Sequence, residues 1–225
     1  MLIYFGISLL IIGGIMGVLF LYFRSHYSRT PAINYYSFLI LSVFIWVIVG
    51  GIGFLSTPSQ LINYLNRLDY AVGIIIATFL FFFTLNFPYP KAISTSKIIY
   101  YVIYIINFIF ISLILFSEII ITKGTEWQVP SRGFLFFLYF IYFIALWTWS
   151  YGNLFRTLKK VTGFQHRIVL ILLIGISITS LVTLPLAFLP SFLDIIWSNF
   201  LLWLVYFTTV FWLGFTSYIL FKKNI

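Results

Sequence analysis

Seven apolar stretches, each long enough to cross a bilayer, constrain this chain more than any other feature. They run from Leu2 to Phe23, Ile33 to Leu55, Leu68 to Phe87, Ile98 to Phe116, Phe134 to Phe155, Ile168 to Phe188 and Ile195 to Phe221. A helix needs about 20 apolar residues to traverse the hydrocarbon core. The stretches are free of Lys, Arg, Asp and Glu except for Asp69, at the very edge of the third. A closed β-barrel would require short segments alternating apolar with polar, and runs such as Ile74 to Phe83 do not alternate. Only 8% of the residues are charged, against about a quarter in a soluble domain. The expected fold is therefore all-α: a polytopic membrane protein of seven transmembrane helices forming a single domain over residues 1–225.

The charges set an orientation. The chain carries 13 basic and 4 acidic residues, a net charge of +9. Arg24, Arg29, Lys91, Lys97, Arg156, Lys159, Lys160, Arg167, Lys222 and Lys223 all follow odd-numbered helices, with no acidic residue among them. Arg67, Lys123 and Arg132 follow even-numbered helices, together with Asp69, Glu118, Glu126 and Asp194. Basic residues near helix ends are retained on the cytoplasmic side. The N-terminus is expected outside, the C-terminus in the cytoplasm, and the chain in the plasma (inner) membrane. The first run has no preceding basic residue and no small-x-small cleavage pattern, so it is expected to remain as a helix rather than be removed as a leader.

Several chemistries lack their residues. There is no cysteine, so no disulfide, thiolate catalyst or ordinary structural zinc site is expected. His26 and His166 stand alone among basic loop residues, and the expectation is a solvated role for both, with no metal and no cofactor. No carboxylate is expected deep in a span, where proton relays and ion-coupled transporters place one. No lysine lies within the seventh run to hold retinal, and no internal repeat of the transporter kind is visible. The loops leave no room for a soluble catalytic domain, so enzyme activity is not expected. The basic loop from Arg156 to Arg167 suits anionic lipid headgroups, at about 1 kcal/mol per basic residue, and not nucleic acid.

Local motifs carry the remaining signal. Gly13 and Gly17 form a GxxxG, read as close packing within one bundle in preference to dimerisation. Gly50, Gly51 and Gly53 are either a hinge or a packing patch. At the start of the third helix, Asn63, Asn66, Arg67 and Asp69 form the most polar place near the outer surface. Helical spacing puts Asn63, Asn66, Tyr70, Gly73, Ala77 and Thr84 on one face, expected to look into the bundle. Arg67 either snorkels into headgroups or helps bind a ligand. It is two residues from Asp69, so the two side chains are expected to diverge. In the sixth helix, Thr179, Thr183 and Pro185 mark a kink that is either passive packing or a moving element. The aromatic stretch from Phe79 to Phe83 is expected to face lipid, and Trp127, Trp197 and Tyr218 to sit at the interfaces.

The segment Asn34-Tyr35-Tyr36-Ser37-Phe38 leading to Trp46 resembles the seven-helix N-terminal membrane region of histidine kinases. The likeness extends through Asn66-Arg67-Leu68-Asp69-Tyr70, through Phe82 to Pro88, through Gln165-His166-Arg167 with Gly175 and Pro185, and to Phe215 through Leu220 followed by Lys222 and Lys223. The resemblance implies a sensory or signal-input module that is not itself catalytic. A histidine kinase or other signalling protein would be its partner, and a small or lipophilic ligand its stimulus. In kinases of this kind, dimerisation and ATP-binding domains follow the membrane region, whereas here the sequence stops at Ile225. A small transporter or channel, drawing on Asn107, Thr183, Asn199 and Thr208, and a non-catalytic subunit of a membrane complex are the alternatives.

Overall fold

The computed structural model describes residues 2–26, 30–87, 97–122, 133–188 and 195–221, with side chains throughout these except 181–188, 195–198 and 219–221. Among them are seven helices: α1 (Leu2–His26), α2 (Pro31–Leu55), α3 (Ser59–Asn86), α4 (Lys97–Phe116), α5 (Phe136–Leu158), α6 (Gly163–Phe188) and α7 (Ile195–Phe221). Six are long and apolar enough to cross a membrane by length and composition alone. The other, α5, has the length, but Thr148, Ser150, Asn153 and Thr157 dilute its apolar character.

Local chemistry accounts for the helix boundaries. Thr30 caps α2 by accepting the Ile33 N–H at 3.3 Å, and Pro31 opens the helix where its missing N–H costs nothing. Pro58 stands at the N-cap of α3, which begins nine residues earlier than the apolar run from Leu68. That run stops at Arg67 because a cation ends any apolar window. The helix continues because the Arg67 guanidinium donates to the Leu115 carbonyl at 3.3 Å and lies 3.7 Å from Glu118. Asp69 consequently lies ten residues into α3, about 15 Å along its axis, and not at its edge. In the same way α6 starts at Gly163, five residues before Ile168, with Gly163 at a φ of +63° making the tight turn from α5.

Consecutive helices run antiparallel, as paired contacts show. Gly6 meets Leu55 and Gly17 meets Phe44 between α1 and α2. Tyr36 packs on Phe83 and Phe38 on Phe79 between α2 and α3. Around the bundle the order of contact is α1, α2, α3, α5, α6, α7 and back to α1, with α4 lying outside against α3. The Gly13 to Gly17 motif is used inside the bundle: a Cβ on Gly13 would stand 2.7 Å from Ile48 Cδ1. The Gly50 and Gly51 cluster is likewise a packing patch, holding Tyr206 and Leu10.

The expectation that Phe79 to Phe83 faces lipid is wrong. Leu80, Phe81, Phe82 and Phe83 are all buried, because α2, α4 and α5 surround α3. This half of α3 is apolar on every side, as suits a segment at the centre of a bundle.

Between α4 and α5 the chain folds back on itself. Gly133 N–H donates to the Ile120 carbonyl at 2.8 Å and Leu135 N–H to that of Ile119 at 2.9 Å. The return buries Ile120 and Ile121 with Ala71, Ile74, Ile114 and Tyr139 in a second core at the end of α3, α4 and α5.

Candidate functional site

Asp69 is a carboxylate inside an apolar bundle, and its surroundings explain how it is tolerated. It is 8% exposed and accepts a 2.5 Å hydrogen bond from the hydroxyl of Tyr206, which is fully buried on α7. The phenol gives the buried carboxyl oxygen a partner in place of water. The expectation that no carboxylate lies deep in a span, with Asp69 at an edge, is corrected by this residue, which is buried ten residues into α3. Asp69 stands at the edge of the apolar run only because Arg67 interrupts that run and hides the first nine residues of α3.

Two features of α2 position the phenol. The Tyr206 ring lies against Trp46, with centroids 4.2 Å apart at an interplanar angle of 38°. It also occupies the space over Gly50, where a Cβ would come within 2.6 Å of Tyr206 Cζ. One side chain of α7 thereby joins α2 and α3. Asn66 lies one turn before Asp69 on the same side of α3 and is 1% exposed.

Further along α7, Tyr36 of α2 donates to the Leu213 carbonyl at 3.1 Å and lies 3.1 Å from the Ser217 hydroxyl, four residues before the helix ends. On the α6 side, Trp212 fills the space over Gly175, where a Cβ would come within 2.7 Å of its Cγ.

The residues expected to form one polar site are divided among these contacts. Asp69 belongs to the junction with α7, and Asn66 is buried one turn before it on α3. Arg67 turns to Leu115 and Glu118, diverging from Asp69 as the two-residue spacing requires. The Tyr70 carbonyl accepts from Tyr139 at 3.0 Å, and its ring meets Phe136 and Tyr139 edge to face, so it serves the packing of α5. Asn63 is half-buried on the α3 face shared with Asn66. Thr179 donates to its own helix at the Gly175 carbonyl, 3.0 Å away. The side chains of Thr183 and Pro185, like Trp127 and the side chain of Trp197, lie outside the described residues. Of the face from Asn63 to Thr84, Asn66, Ala77 and Thr84 are buried, while Asn63, Tyr70 and Gly73 are half-buried.

The sequence reading missed Tyr206. It is one of 16 tyrosines, and its only signal was the small-residue cluster at Gly50, which means nothing until α2 and α7 are brought together.

Two further polar residues are satisfied within the bundle. Asn107 donates to Thr78 at 2.8 Å and accepts from Tyr142 at 2.9 Å, tying α4 to α3 and α5. Thr208 bonds back to the Leu204 carbonyl. Among the described residues no three His, Asp or Glu converge as metal ligands. An open groove of about 590 Å³ runs along α5 past Phe137, Ile141, Ile144, Ala145, Thr148 and Trp149, and includes none of the junction residues.

A family model described as the N-terminal 7TM region of histidine kinase matches residues 8–222. No curated protein matches the chain.

Proposed function

Since this chain belongs to the family of the N-terminal 7TM region of histidine kinase, we propose that it is a membrane-embedded input module that passes a signal along α7 to a cytoplasmic or membrane partner. The observation that carries this reading is the hydrogen bond from Tyr206 to Asp69. It ties the helix that exits the bundle last to the buried polar face of α3. Loss of that bond would free α7 at one level while Tyr36 still holds it eleven residues further on, at Ser217. The helix then has a fixed point about which to pivot.

A stimulus moves such an element only if it binds the two arrangements with different affinity. The stimulus in this proposal is a small or lipophilic ligand that reaches Asn66 and Asp69 from the N-terminal end of the bundle and favours one of the two arrangements. The orientation in this proposal is N-terminus outside and C-terminus in the cytoplasm of a cell whose plasma membrane holds the chain. It is supported by Arg24, Lys97, Arg156, Lys159, Lys160 and Arg167 at the C-terminal end of the bundle, which suit anionic headgroups. The partner is a histidine kinase or another signalling protein.

The test is cross-linking of the tagged chain in its native membrane, followed by phosphotransfer assay of the captured partner. Tyr206→Phe should alter the partner's autophosphorylation without altering the amount of chain in the membrane. Substrate-dependent flux in proteoliposomes would instead establish a transporter, and a stable partner indifferent to Tyr206→Phe would establish a structural subunit.

A further inference from the structure

We propose that Asp69 is a proton-binding site, and that its protonation is a stimulus that releases α7; this rests on the input-module reading above and specifies the chemistry of its switch. Asp69 is a carboxyl group buried among helices, and its side chain accepts a hydrogen bond from Tyr206 across to α7. A proton taken up by the ionised carboxyl removes its charge and leaves a neutral pair whose hydrogen bond has roughly half the strength of the charge-assisted one. No covalent bond changes. One proton is taken up, and the Tyr206 hydroxyl keeps its own.

The neighbouring groups make the junction responsive to that single event. On α2 the contacts are Trp46 and Gly50, neither of which titrates. On α7 the only titratable group described at the junction is Tyr206 itself. Tyr70 of α3 and Tyr139 of α5 lie within electrostatic range as phenols. Arg67, the nearest cation in sequence, is directed to Leu115 and Glu118. The ring of Tyr206 rests on a glycine, so its position depends on the hydroxyl end as well as on packing. Gly50 offers no Cβ to hold the ring once the hydroxyl lets go.

The chain contains no native cysteine, so spin labels can be placed without background. Tyr101 on α4 and Tyr218 on α7 are both exposed at the C-terminal half of the bundle. The experiment places Tyr101→Cys and Tyr218→Cys labels on the full chain in nanodiscs and reads their distance distribution from about pH 4 to about pH 9, a range that brackets ordinary and displaced carboxyl titrations. Infrared spectra of the same samples follow the protonated-carboxyl band that Asp69→Asn removes. The expected result is a shift in distance with the midpoint of that band. In Asp69→Asn the distribution should stay at its low-pH position at every pH. In Tyr206→Phe the carboxyl band should still titrate while the distance stays constant.

A distance distribution that ignores Asp69 protonation, a band that never titrates, or a pH response that survives in Asp69→Asn would overturn the proton assignment. If Asp69→Asn and Tyr206→Phe displace α7 but pH does not, only that assignment falls. If both variants match the unsubstituted chain at every pH, the role of the α3–α7 junction in signalling falls with it.

Discussion

Tyr206 of α7 donates a 2.5 Å hydrogen bond to Asp69 of α3 while its ring fills the space above Gly50 of α2. One phenol thus gives a buried carboxylate its partner and sets how closely three helices approach. Membrane helices gain little from apolar association as such, because lipid is as apolar as their side chains. Close backbone approach and hydrogen bonds between helices therefore decide which arrangement is kept, and this junction has both.

Gly50→Ala tests the close approach. Its Cβ would stand 2.6 Å from Tyr206 Cζ, so the ring or the helix must move. The expected loss is about 1–3 kcal/mol, as for overpacked cores. Gly14→Ala, with nothing within 4 Å of the new Cβ, should be neutral or stabilising by up to about 1 kcal/mol. Thermal unfolding of the two variants in the same detergent would separate them, and equal melting temperatures would refute the assignment of Gly50 as the socket for Tyr206.

The Asn107 bridge is a second interhelical contact whose strength can be isolated. Asn107→Ala strips both Thr78 and Tyr142 of a partner and should cost about 1–2 kcal/mol. A double-mutant cycle with Tyr142→Phe should return a coupling near 0.6 kcal/mol, the average for hydrogen bonds between membrane helices. Strict additivity in that cycle would mean the two side chains do not interact.

Gly133→Ala should be severe locally. The new Cβ would collide with the backbone carbonyl of Ile119, where no side chain can yield. The return that carries Ile120 and Ile121 should lose at least about 2 kcal/mol of local stability. Hydrogen exchange over residues 117–122 should accelerate, while exchange in α3 stays slow. Unchanged protection of that segment would contradict the pairing between Gly133 and Ile120.

The proposed orientation predicts opposite labelling at the two ends. On the cysteine-free chain, Glu118→Cys should react with a membrane-impermeant thiol reagent applied to intact cells. Lys160→Cys should react only after permeabilisation. The reverse pattern would invert the topology that the distribution of basic residues predicts.

Much of the architecture was legible in the residues alone. Seven spans follow from the length of the apolar runs, and the divergence of Arg67 from Asp69 follows from helical spacing. The limits of that reading show in two places. Ending a span at Arg67 moves the start of α3 from Ser59 to Leu68 and puts Asp69 at the edge of the helix that buries it. Treating Phe79 to Phe83 as lipid-facing overlooked how central α3 is, since a run of five apolar residues has no polar side to say which way is inside.

By itself, then, the sequence determined that this chain crosses a membrane seven times and that its basic residues gather at one end. Both follow from the cost of placing polar groups in hydrocarbon. Only the tertiary structure decided that Asp69 meets Tyr206, that Asn107 joins three helices, and that Gly50 and Gly175 receive aromatic rings. In lipid, an outward face and an inward face are equally apolar, so periodicity does not distinguish them. The choice rests on local shape and on a few hydrogen bonds between residues as distant in sequence as 69 and 206.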